Sequence, residues 1–226
     1  MNTRLILDFL CDLRDNNSRV WMNTNKDRYL TAKNEFEELL RHLIENVSCF
    51  DPAISHLQPG NTIYRMNRDT RFSKDKTPYS PSFRANLSPG GKMPVPVGYF
   101  VYIIPNGSIL GGGLFTPNLP TATKMVRDYI AENSEEFMQI ITDNPFAERF
   151  AIEGDKLKNV PKGYNAVLPV AEYLKHKAWD VGCAISDEQF EDNKTIVDYM
   201  TGICRAMKPF NDYLNRALDG FVMPTM

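Results

Sequence analysis

The hydrophobic period of this chain changes twice, and that change restricts the fold more than any single motif. Leu5, Ile6, Phe9, Leu10 and Leu13 recur at helical spacing near the start, where residues three and four apart share a face. Ser18, after Asp15-Asn16-Asn17, supplies a cap for a second helical start. From about Thr24 the same period runs through Tyr29, Ala32, Phe36, Leu39, Leu40, Leu43, Ile44 and Val47. It stops ahead of Pro52, because the residue before a proline is pushed out of the helical region.

After Gly60 the period falls to two. "TIYRMNR", "FRANLS", "GYFVYIIP" and "GSILGGGLF" read as strands. Pro105-Asn106-Gly107-Ser108, between Ile104 and Ile109, predicts a hairpin, since Asn and Gly accept the positive φ of tight turns. Helical spacing returns in "LPTATKMVRDYIAEN", in "SEEFMQIITDN" with Ser134 as its cap, and in "VAEYLKH". A further strand, "AWDVGCAI", precedes the cap region "SDEQFED". A last long helix then carries Ile196, Val197, Met200, Ile203, Met207, Phe210 and Leu214, with a kink expected at Pro209. Helices at both ends and strands in the middle predict an α+β domain rather than alternating βαβ units. Its central sheet is expected to be mixed or largely antiparallel, with helices from both chain ends packed at its faces. A length of 226 residues fits one domain.

Composition then narrows the function. With 42% hydrophobic and 24% charged residues the chain can build a core. A formal charge of -2 argues against coating nucleic acid through the overall field, so charge has to be judged locally. Cys11, Cys49, Cys183 and Cys204 are far apart and read as small buried hydrophobes, not as a disulfide framework. Asp8, Asp12 and Arg14 interrupt the first apolar run, which makes it an amphipathic helix and not a signal peptide. No window approaches the roughly 18 apolar residues of a membrane span, so a cytoplasmic protein with no membrane partner is expected. His42, His56 and His176 lack zinc-ligand spacing, and there is no Gly-x-Ser-x-Gly elbow. Gly111, Gly112 and Gly113 lack the strand-to-helix context of a phosphate loop, and read as strand glycines at a close approach. No cofactor is read from the sequence.

One segment departs from this background. "RMNRDTRFSKDKTPY" packs five cations, Arg65, Arg68, Arg71, Lys74 and Lys76, with two carboxylates, Asp69 and Asp75, into twelve residues. In extended chain Arg65, Asn67 and Asp69 face one way and Arg68 the other. A reversal near Ser73 would gather the cations into one small volume. Arginine offers a planar fork matched to phosphate or carboxylate, and lysine a mobile point charge. The aspartates would hold the arginines in place, and beside cations they stay ionised, which makes them poor general acids.

The surplus of three positive charges predicts binding of a small phosphorylated or carboxylated ligand at Arg65, Arg68, Asp69, Arg71, Lys74, Asp75, Lys76 and Tyr79. An enzyme working by electrostatic stabilisation is compatible with that site. Two alternatives come from other classes. Nucleic acid could be held by its backbone phosphates, with Phe72, Tyr64 and Tyr79 as stacking platforms. An interaction protein could instead neutralise the segment internally, with Glu35 or Glu38 of the long helix supplying the missing carboxylates. Trp21, Asn25 and Tyr29, spaced i, i+4 and i+8, would line one helix face, either as a wall of the site or as a core stripe.

Four stretches, "NNSRVWMNTNKDRY", "YRMNRDTRFSKDKTPY", "LGGGLFTP" and "VPKGY", together resemble the family known as domain of unknown function 2461. The resemblance covers nearly the whole chain. It implies a single-domain α+β protein of bacterial type and carries no activity with it. The family-like positions are Asn17, Trp21, Asn25 and Tyr29, the central residues Arg65 to Tyr79, and later Gly113, Pro117, Lys162, Gly163 and Tyr164. Met22 and Ser80 depart from the pattern.

Overall fold

The computed structural model describes residues 1–115, 118–152 and 154–224. Pro117 lies outside them. Helices α1 (Thr3–Asp15), α2 (Arg19–Thr24), α3 (Lys26–Ser48) and α4 (Pro59–Thr62) lead into strands β1 (Phe83–Leu87), β2 (Tyr99–Ile103) and β3 (Ser108–Leu114). Helices α5 (Pro120–Glu132), α6 (Ser134–Thr142), α7 (Asn144–Ala147) and α8 (Ala171–Leu174) precede β4 (Trp179–Ile185). Helices α9 (Asp187–Glu191) and α10 (Ile196–Ala217) close the chain. The fold is α+β, and α10 continues through Pro209.

The four strands pair in chain order, and every pairing is antiparallel. Asn106 turns the β2–β3 hairpin with φ 60°, as its residue type allows. Phe83, Ala85 and Leu87 of β1, Tyr99, Val101 and Ile103 of β2, and Leu110 and Leu114 of β3 are buried on one face. Phe36 of α3 stacks on Phe83 with ring centroids 5.2 Å apart, and α10 lies over β3 on the same side. Asn211 of α10 pins this layer: its Nδ2 donates to the Gly98 carbonyl and its Oδ1 accepts from the Gly113 N–H, each at 3.0 Å.

Two expectations need correction. Helices from both chain ends cover one face of the sheet, not both. α1 spends its apolar side on α3, and α5 and α6 spend theirs on α10, so no helix among the described residues is left for the other face. That face carries Arg84, Phe100, Tyr102 and Ile109, all partly or largely exposed. The aromatic run of β2 looks like a strand covered on both sides, but only its odd-numbered half is buried. The second correction concerns "TIYRMNR", which forms no strand. Ile63 bridges Ala85 at the edge of β1 and Asn67 bridges Tyr79, so the chain leaves β1 to pair with its own continuation.

The three glycines are strand glycines at a close approach. A side chain at Gly112 would meet the Met207 sulfur and the Gly98 carbonyl, and Gly113 sits at φ +86° against the Trp179 carbonyl.

Candidate functional site

The basic segment is a surface loop whose two limbs are tied together at the base. The Arg68 N–H donates to the Pro78 carbonyl at 2.9 Å, and the Ser80 N–H to the Met66 carbonyl at 2.8 Å. Midway the Ser73 N–H returns to the Thr70 carbonyl at 3.4 Å, so the chain turns near Ser73, as gathering the cations would need. The side-chain alternation also survives as far as Arg68: Arg65 and Asn67 are exposed, Met66 is buried and Arg68 is half-buried.

The two arginine–aspartate pairs have different jobs. Arg68 crosses the loop interior, pairing with Asp75 and bonding Thr77 at both its hydroxyl and its carbonyl. Arg71 forms a two-pronged pair with Asp69, Nε to Oδ1 at 3.0 Å and a terminal nitrogen to Oδ2 at 2.6 Å. The Thr77 N–H and Arg68 hold the Asp75 carboxyl down at about 2, and Arg71 lowers that of Asp69. Both are therefore carboxylates near neutrality. Lys76 donates to the Thr70 carbonyl at 2.9 Å.

Both carboxylates of the loop are thus occupied. Among the described residues, Arg65, Lys74 and Lys76 have no carboxylate within ion-pair distance. Glu35 and Glu38, which could have neutralised them, are engaged elsewhere. Glu35 faces the chain's amino terminus, and Glu38 pairs with Arg41 at 2.5 Å. One further cation joins the group, and the sequence reading missed it. Arg84 of β1 donates to the Arg65 carbonyl at 3.2 Å and lies 6.0 Å from the Tyr64 ring centre. Its signal was a charged residue at an outward parity in a strand whose alternate residues, Phe83, Ala85 and Leu87, are apolar.

Tyr79 is buried and anchors the loop to the helical layer through Asn17. Trp21 and Asn25 stand beside that anchor, on the rim of an open hollow of about 510 Å³ shared with Asp15, Asn17, Ser18 and Val20. Tyr29 is placed otherwise, against Phe9 at 5.8 Å and stacked on Phe83 at 6.3 Å. The predicted single helix face is also interrupted, because α2 ends and α3 begins at Asn25. Trp21 shares the Phe9 contact at 6.0 Å, so Trp21 and Tyr29 serve the core even where Trp21 reaches the hollow.

Lys162 and Gly163 are not brought to this group by any contact among the described residues. Tyr164 instead donates to Asp128 of α5 at 2.5 Å, and burial with that carboxylate pushes its hydroxyl up to about 12. It ties down the long loop ahead of α8.

Beyond Arg84 the uncovered sheet face holds a shallow groove of about 280 Å³. Phe100, Tyr102 and Phe115 wall it, and Gly111 and Gly182 form its floor. Phe100 links it to the loop side, since its ring centre is 6.2 Å from that of Tyr64 and 5.5 Å from that of Phe115. No helix among the described residues is long and apolar enough to cross a membrane.

A family model described as "Conserved hypothetical protein (DUF2461)" matches residues 5–213. No curated protein and no solved structure matches the chain.

Proposed function

The chain belongs to the DUF2461 family, and we propose that it binds a small phosphorylated or carboxylated ligand at the loop from Arg65 to Tyr79. The observation that carries this reading is the charge left over. Both loop carboxylates are paired, Glu35 and Glu38 are turned elsewhere, and Arg84 adds a cation beside Arg65. A loop held in shape by Arg68 presents these charges without first ordering them, which lowers the cost of binding. Because Asp69 and Asp75 stay ionised, any reaction at this loop would rely on cations stabilising developing negative charge. The four free cysteines fit a reducing, cytoplasmic setting.

The test is a thermal-shift screen of the full chain with pyrophosphate, citrate, sugar phosphates and nucleotides at low and moderate salt. A ligand bound only by the native state at a hundredfold excess over its Kd adds about 2.7 kcal/mol to apparent stability. The expected result is a shift from one class of anion, lost in an R65A/K74A double variant whose unliganded melting is unchanged. No shift with any anion at either salt would overturn the reading.

Phe72 favours a second reading. It is 94% exposed, beside Arg71, whose guanidinium lies 5.8 Å from its ring centre. Such a pair suits a base stacked above a phosphate contact, as in single-stranded nucleic acid. Oligonucleotide binding whose affinity falls steeply with salt, and falls further in F72A, would favour it over the small ligand.

A further inference from the structure

The uncovered face of the sheet raises a question that the basic loop does not answer: why two glycines lie side by side beneath aromatic walls. Gly111 and Gly182 are direct partners in the β3–β4 register, and Phe100 is the partner of Gly111 on β2. Gly111 is explained by the fold, because a Cβ there would fall 2.6 Å from the Val181 carbonyl oxygen. Gly182 is not. Among the described residues its added Cβ would meet only the Cγ2 methyl of Ile109, at 3.1 Å, the movable end of a side chain that is 40% exposed. A larger residue at 182 would fill the groove at small cost to the fold. Glycine there keeps bare backbone open under Phe100, Tyr102 and Phe115.

We infer that this groove is a binding site for a flat aromatic ring carrying a phosphate or carboxylate group. The ring lies on the backbone of Gly111 and Gly182 between the aromatic walls, and the anionic group reaches Arg84. Flatness follows from the floor: two adjacent glycines expose a backbone surface two strands wide, roughly 5 Å between strands, and rings stack on Phe and Tyr in offset or edge-on geometry. Direction follows from charge. Arg84 is the register partner of Tyr102 and faces the same side, and no carboxylate stands within ion-pair distance of it among the described residues. At the other edge of the sheet the groove is lined by Asp180. The walls also supply the apolar contact that a bare phosphate lacks, with Phe115 39% exposed. The anionic end of this proposal rests on the cationic reading of the loop and Arg84; the ring site does not.

Nuclear magnetic resonance titration of the full-length protein, following backbone amides, tests both parts. The probes are phenyl phosphate, cyclohexyl phosphate and inorganic phosphate. Phenyl phosphate is expected to shift the amides of Gly111 and Gly182 together with those of the loop. It should bind about tenfold more tightly than inorganic phosphate, the order of gain one stacked ring provides. G182V, which fills the floor, and F115A, which removes a wall outside the core, should each abolish that gain and leave the inorganic phosphate response intact.

Loop shifts without glycine shifts would overturn the groove and leave the anion site standing. Equal affinity for the phenyl and cyclohexyl compounds would overturn the preference for a flat ring. Glycine shifts with phenyl phosphate, but no loop response to any phosphate, would support the groove while removing the loop site.

Discussion

Asn17 and Tyr79 hold each other by two hydrogen bonds. The Asn17 Nδ2 donates to the Tyr79 carbonyl at 2.9 Å, and its Oδ1 accepts from the Tyr79 N–H at 3.1 Å. A carboxamide side chain copies a backbone pairing in this way, with a donor and an acceptor side by side. The turn between α1 and α2 thereby fixes one limb of the basic loop 62 residues further on. Replacing Asn17 by Ala leaves both backbone groups without their partner, and should cost about 1–2 kcal/mol of stability. Denaturant melts would measure this, and limited proteolysis should cut the loop sooner. Wild-type stability together with wild-type proteolysis would dismiss the anchor.

Asp75 gives the loop an acid limit. Its folded carboxyl lies at about 2, lowered by the Thr77 N–H and Arg68, against about 3.9 for an unfolded aspartate. A depressed value means that its contribution is complete above the unfolded value and lost as pH falls through the folded one. Loop order should therefore persist at pH 5 and decline between roughly pH 4 and 2. The carbon-13 shift of the Asp75 carboxyl should titrate near the folded value, and return toward the ordinary range in R68A. An ordinary titration in the wild type would contradict the pairing.

Lys74 should behave as a binding residue and not a structural one. It is exposed and makes no ion pair among the described residues. K74A should change stability by no more than about 0.5 kcal/mol and weaken anion binding, whereas R68A should loosen the loop itself. A K74A protein that melts several degrees lower without ligand would move Lys74 to the structural side.

Asn211 should be among the costliest polar residues to remove. Its side chain is 3% exposed and serves a carbonyl of Gly98 and an N–H of Gly113. N211A buries both groups without partners, at about 2–4 kcal/mol in total. A loss under about 0.5 kcal/mol in denaturant melts would mean that water or a backbone shift replaces the amide.

Gly112 is closed to any side chain. A Cβ there would press on the Met207 sulfur and stand 2.5 Å from the Gly98 carbonyl oxygen, and overpacking of this kind costs about 1–3 kcal/mol. G112A should lower the midpoint of unfolding, and G182A should leave it nearly unchanged. A G182A protein destabilised as much as G112A would mean that the fold requires glycine at 182 too, and would remove the premise of the groove.

Local chemistry was sufficient for much of this molecule. The helical period of Leu5 to Leu13 and of Tyr29 to Val47, the Asn106-Gly107 turn and the Ser18 start are written in adjacent residues, because each depends on backbone preferences and on spacing along one element. The density of charge from Arg65 to Lys76 is equally visible. What needed the tertiary structure were facts about partners brought from a distance. Only the assembled chain places Glu35 at the amino terminus and Glu38 on Arg41, leaving three loop cations without a carboxylate among the described residues. Only there does Asn17 meet Tyr79, and Arg84 stand beside Arg65. The same holds for the open face of the sheet: alternation in "YFVYI" gives two possible faces, and which one is covered depends on where α3 and α10 spend their apolar sides. Ion pairing and coverage are properties of three-dimensional proximity, which neither periodicity nor composition encodes.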